Sequence, residues 1–119
     1  MTGMGVYRRA RRARRVQAEL NVRYGTTGLD CCASSTNISE DGIHLATNDV
    51  VEIGTRVQLA IEFPGHVSRQ TGDVVWAIQV PEHLVDSMVY GIGIRFVDPD
   101  PGWSSVFGQW RDSLDEPSD

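Results

Sequence analysis

Lysine is missing from this chain: all eleven basic residues are arginine. That leaves only planar guanidinium groups, which favour two-pronged recognition of anions. Genome base composition produces the same bias and carries the larger share of the explanation, so the count alone assigns no function. Cysteine is nearly absent. The two present, Cys31 and Cys32, are adjacent, and neighbours on an extended strand point to opposite faces, so they suit neither a disulfide nor a shared metal. No apolar run approaches the roughly 20 residues of a membrane span, and none follows the N-terminal arginines as a secretory signal requires. The chain therefore reads as cytoplasmic, without membrane insertion and without structural disulfides. His44, His66 and His83 are scattered without metal-ligand spacing, so no metal is expected. Acidic residues are dispersed, with no pair marked out as general acid and base, and Ser39, Asp41 and His44 lie too close in sequence to argue for a converging triad. No catalytic residue is assigned, and an enzyme is not expected.

What is present is concentrated at one end. The 119 residues carry a net charge of −5, with 40% hydrophobic content, enough for one domain with a modest core. Residues 1–15 hold six arginines and no acid (+6), whereas residues 16–119 hold five arginines and sixteen acids (−11). The expected organisation is a flexible arginine-rich arm over 1–15, a folded domain over 16–114, and a frayed tail over 115–119.

Apolar periodicity in the folded part is mostly that of strands. Val16, Ala18, Leu20, Val22 and Tyr24 alternate with polar residues, which predicts a half-buried strand. Gly25 to Gly28 reads as a turn, and Leu29 to Ile38 as a weaker, polar strand. Gly42 opens Ile43-His44-Leu45-Ala46. Thr55 to Phe63 alternates cleanly and is closed by Pro64-Gly65. Val67 to Val80 contains the buried-looking run Val74 to Ile78, and Ser87 to Val97 contains Gly91 and Gly93, which favour bending or close approach of another element. Six strand-like segments with short connections predict antiparallel pairing and closure into a barrel. Past Pro99 and Pro101, residues 102–114 read as an amphipathic helix with Trp103, Val106, Phe107, Trp110 and Leu114 on one stripe, plugging or flanking the barrel.

Two motifs carry the chemistry. Arg8-Arg9-Ala10-Arg11-Arg12-Ala13-Arg14-Arg15 supplies permanently charged donors for phosphate oxygens and for guanine O6 and N7. Asn37-Ile38-Ser39-Glu40-Asp41-Gly42 adds a short amide, a hydroxyl and a glycine where backbone comes close. The first resembles the RxxxR element of PilZ domains, and the second is similar to their Asp/Asn-x-Ser-x-x-Gly element, in the same order and on either side of a hairpin-like strand segment. Val74-Val75-Trp76 and Tyr90-Gly91-Ile92-Gly93-Ile94-Arg95-Phe96 resemble the late strands of that family, so the likeness runs from about Arg8 to Phe96.

The resemblance implies a mainly β fold, a six-stranded antiparallel PilZ-type barrel with a C-terminal helix, that binds cyclic di-GMP. In the family pattern the second arginine lies just before the first apolar strand. That assigns Arg11 and Arg15 rather than Arg8 and Arg12, with Arg12 and Arg14 as secondary contacts. Asn37 and Ser39 are expected at the base edge, although such residues also hydrogen-bond their own turn. Gly42 shapes the loop. Trp76 belongs to the core by burial statistics, yet its matching position in some family members approaches the nucleotide, so it is retained as a contact. No cofactor beyond this ligand is implied. The expected function is a non-catalytic adaptor whose arm orders around cyclic di-GMP and signals to a downstream protein in motility, polysaccharide synthesis or a related surface process. The alternatives are a PilZ-like protein scaffold without nucleotide binding, and a nucleic-acid-binding module. The −11 charge beyond the arm opposes the nucleic-acid alternative.

Overall fold

The computed structural model describes residues 16–84 and 90–114. The arginine arm and the C-terminal tail lie outside that range, as does the start of the segment expected over Ser87–Val97. Among the described residues seven strands run in chain order: β1 (Val16–Gln17), β2 (Asn21–Gly25), β3 (Cys31–Ile38), β4 (Gly42–Ala46), β5 (Arg56–Phe63), β6 (His66–Ile78) and β7 (Gly91–Phe96). A 3-10 turn at Glu82–Leu84 follows β6, and the helix α1 (Trp103–Leu114) ends the fold.

All pairings are antiparallel, and they close. The order β3-β2-β5-β6-β7-β4 returns to β3 through the β3–β4 ladder, giving a six-stranded barrel. Closure removes the exposed edges that an open sheet of this size would leave. The two-residue β1 adds to β3 beyond the end of β2, with Val16 opposite Ile38 and Gln17 opposite Asn37.

The single strand expected over Val16–Tyr24 is therefore present but interrupted at residues 18–20. Buried Ser35 fills the gap: its hydroxyl donates to Ala18 O at 2.5 Å and accepts the Leu20 N–H at 2.9 Å. A side chain replaces two ladder bonds, so the chain bends without orphaning its backbone groups. The apolar alternation survives the interruption, with Val22 and Tyr24 fully buried and Arg23 between them exposed.

Inward residues from every barrel strand form one core, including Val22, Ile38, Leu45, Leu59, Ile61, Val74, Ile92 and Ile94. Helix α1 caps the end where β3, β5 and β7 finish. Trp103, 2% exposed, is centred 5.4 Å from Phe96 and 6.0 Å from Phe63. Its indole N–H donates to Glu40 O at 2.9 Å, and the Ser104 hydroxyl bonds the Glu40 carboxylate. The first turn of α1 has no acid of its own; Glu40 brings negative charge there from the β3–β4 loop, where the helix dipole favours it. The expected stripe is correct through Trp110, which meets Phe63 at 5.2 Å. Leu114 departs from it: the side chain is 50% exposed, one turn beyond the last contact with the barrel.

Candidate ligand-binding groove

Strict alternation would send Asn37 and Trp76 inward, beside Ser35 and Val74. Both instead face out, for the same reason. On β3 the pairing with β4 slips between Ser35 and Asn37, and on β6 the pairing with β7 slips between Val74 and Trp76. Each slip is a one-residue bulge, at Thr36 and at Val75, and a bulge re-aims the side chain that follows it. Ile38 and Ala77 then return to the core side.

The registers place these residues in a single row across the outer surface. Gln17 on β1 pairs Asn37, Asn37 pairs His44 on β4, His44 pairs Gly93 on β7, and Gly93 pairs Trp76 on β6. Gly93 is a gap in that row. A Cβ built there would sit 2.1 Å from Trp76 Nε1, so the indole lies across bare backbone and reaches the His44 ring, 4.6 Å away between centroids. Trp76 is therefore half-buried on the outside of the barrel and not a member of the core.

Around the row opens a groove of about 890 Å³. Gln17, Asn37, Asp41, His44 and Arg95 give it a polar side, and Val75, Trp76 and Tyr90 a flatter, more apolar one. That combination suits a ligand with planar rings and hydrogen-bonding edges. Asp73, opposite Arg95 on β6, holds Arg56 through two bonds of 2.9 and 3.2 Å. Its carboxyl is kept below the ordinary value, first by the hydrogen bond from Arg56 and then by the charges of Arg56 and Arg95 acting against desolvation.

The second sequence motif divides between groove and scaffold. Asn37 and Gly42 line the groove. Ser39 lies beneath it, 1% exposed, its hydroxyl accepting the Asp41 N–H at 3.1 Å and its own N–H donating to Gly42 O at 2.8 Å. The local turn role weighed for Ser39 is present. Gly42 is required by space and not by a left-handed backbone, because a Cβ there would meet Ile94 O at 2.4 Å.

Arg11, Arg12, Arg14 and Arg15 lie outside the described residues. Their covalent anchor does not: Arg15 is joined to Val16, which pairs with Ile38 between Asn37 and Ser39. Consecutive Cα atoms are about 3.8 Å apart, so the arm starts at the groove's edge.

His44, Tyr90, Arg95 and Gln17 were not marked as site residues by the sequence. His44 and Arg95 share the parity of Gly42 and Gly93 on their strands, a signal visible in the alternation. Among the described residues no three His, Cys, Asp or Glu side chains gather as a metal site, and no described helix is long and apolar enough to cross a membrane.

Comparison with known proteins agrees with this architecture. The structure of the Bacillus subtilis inhibitor of motility, MotI/DgrA, superposes with a TM-score of 0.67 at 20% sequence identity, covering 87% of this chain and 50% of that one. The present chain thus spans half the length of that neighbour, and the likeness is one of fold. No curated protein matches the chain. The PilZ domain family matches residues 7–106, a stretch that takes in the arginine run, the Asn37 loop, both bulges and the start of α1, and the chain belongs to the PilZ domain family.

Proposed function

We propose that this chain is a cyclic di-GMP receptor that acts as an adaptor, with the N-terminal arginine arm closing over a ligand held in the groove. PilZ domains are in general non-catalytic receptor or adaptor domains, and the family typically binds this dinucleotide. One observation carries the reading for this chain: the pairing of Val16 and Gln17 with Ile38 and Asn37. Through it the RxxxR element, at Arg11 and Arg15, is tethered beside the Asn37 loop, so both motifs can reach one ligand.

The chemistry is matched part by part. Two phosphates call for guanidinium donors, with Arg12 and Arg14 in reserve, and the guanine edges call for short polar groups such as Asn37. Trp76 offers a ring face for a base, and Gly42 keeps the loop close against β7. Free, six arginines on a short arm repel one another; a dianion among them offsets part of that repulsion, and the ordered arm presents a surface for a downstream protein. That output is assigned to motility, surface polysaccharide or a related process inside the bacterial cell.

Isothermal titration tests the reading. Cyclic di-GMP is expected to bind, and Arg11→Ala and Arg15→Ala each to weaken binding by about 2 kcal/mol or more, the scale for truncating one partner of a buried charged hydrogen bond. Absence of wild-type binding refutes the receptor reading, and wild-type affinity in either variant refutes this register of the arginines. Tight binding of duplex DNA at physiological salt, without a response to cyclic di-GMP, would transfer the arm to nucleic acid.

A further inference from the structure

His44, at the centre of the outward row, belongs to neither motif. It stands between Asn37 and Gly93, and its ring is fixed at both ends. Nε2 lies 3.0 Å from Tyr90 O and Nδ1 lies 2.6 Å from the Thr36 hydroxyl. A carbonyl oxygen only accepts, so Nε2 carries the hydrogen, and in the neutral ring Nδ1 accepts from Thr36. The bulge at Thr36 is what brings that hydroxyl to the ring.

The ring so fixed is centred 4.6 Å from Trp76, tilted by 53°. On its other contact the indole rests on Gly93, where no Cβ could fit. Among the described residues, Trp76 is thus held between a side chain hydrogen-bonded in two directions and bare backbone.

We propose that His44 is a positioning residue of the groove: it holds the Trp76 indole as a wall on which a planar purine base stacks. The inference relies on the cyclic di-GMP reading for the base, though not for the contact between the two rings. Protonation of His44 preserves the arrangement, because Nδ1–H then donates to Thr36 Oγ1 while Nε2–H stays on Tyr90 O. It also sets a cation within the ~6 Å over which an indole attracts one. Among the described residues, the other titratable groups lining this groove are Asp41 from the β3–β4 loop, Tyr90 from the segment before β7 and Arg95 from β7. From β3 and β6 the described lining residues are the uncharged Thr36, Asn37, Val75 and Trp76.

Two measurements test the proposal. In the free protein, the Trp76 indole N–H resonance, assigned by its loss in Trp76→Phe, is expected to shift as His44 titrates between about pH 5 and 8. It should lose that shift in His44→Gln. A wild-type resonance that does not move with pH, or one that moves equally in His44→Gln, overturns the contact. With cyclic di-GMP, His44→Ala and Trp76→Ala are each expected to weaken binding about tenfold, the double variant being no weaker than Trp76→Ala alone. Losses that multiply in the double variant overturn the positioning role, since His44 would then act without Trp76. If the wild-type protein binds no cyclic di-GMP, the receptor reading fails and the resonance measurement alone decides the ring contact.

Discussion

Two glycines two residues apart on β7 should respond differently to the same added methyl group. Gly91 has φ 115°, and a Cβ there would fall 1.9 Å from Leu45 O on β4. The obstacle is backbone in a closing ladder of the barrel. An L-residue in that conformation costs about 1–3 kcal/mol, and displacing the carbonyl by over 1 Å disturbs a ladder bond worth about 1 kcal/mol more. Gly91→Ala is therefore expected to lose about 3 kcal/mol, or roughly 12 °C in melting temperature for a domain of this size. At Gly93 the obstacle is the Trp76 indole, 2.1 Å from the added Cβ. That side chain is half-buried on an outer face and can swing toward solvent. Lost packing of about 1 kcal/mol is largely offset by the smaller entropy of the unfolded chain, about 0.4–1 kcal/mol. Gly93→Ala should melt within about 4 °C of wild type yet lose the stacking wall, worth about 1–3 kcal/mol per base. Circular dichroism melts paired with calorimetric titration separate the two effects. If Gly91→Ala melts like wild type, or Gly93→Ala melts as low as Gly91→Ala, the steric reasoning is refuted.

Asn37→Ala should weaken cyclic di-GMP binding with little change in melting temperature, because its side chain lines the groove. Ser39→Ala should lower the melting temperature by a few degrees, since a hydroxyl 1% exposed and bonded to the Asp41 N–H is removed, and a Ser39→Ala protein as stable as wild type would contradict the buried turn. The Tyr24 phenol, bonded to Thr47 Oγ1 and Asp49 O, is pushed up to about 12, chiefly by burial. Its folded value exceeds its unfolded value near 10, so the neutral phenol's contribution is complete below pH 10 and is lost as pH rises toward 12. Tyr24→Phe should flatten that alkaline fall in stability, read by denaturant titration across the range.

Most of the fold is legible in the chain because the barrel has one wet face and one dry face. Val57, Leu59, Ile61 and Phe63 announce β5, and the same two-residue period locates β2 and β7. Closure follows from strand number and short connections. What the period does not reveal is local repair by polar side chains. Nothing in Val16–Tyr24 signals the break at 18–20, since the group that repairs it is the hydroxyl of Ser35 on another strand. Leu114 keeps the helical stripe in sequence, but the barrel surface ends before it.

The candidate site is legible as motifs and illegible as geometry. Spacing identifies Asn37, Ser39 and Gly42, yet it does not reveal that the Ser39 hydroxyl is buried and bonded within the turn beneath. Trp76 shows the reason most clearly. In Val74-Val75-Trp76-Ala77-Ile78 every residue is apolar or aromatic, so the alternation gives no cue to which side each takes, and burial statistics place the indole in the core. The bulge at Val75 decides otherwise, and it is defined only against β7. The second bulge, at Thr36, is defined only against β4. Each alone would turn one side chain outward. The β4–β7 register sets His44 opposite Gly93, and only then do the two displaced residues fall in one row with a histidine between them and a gap for the indole. The groove is thus a property of three ladders acting together, which no single segment of the chain encodes.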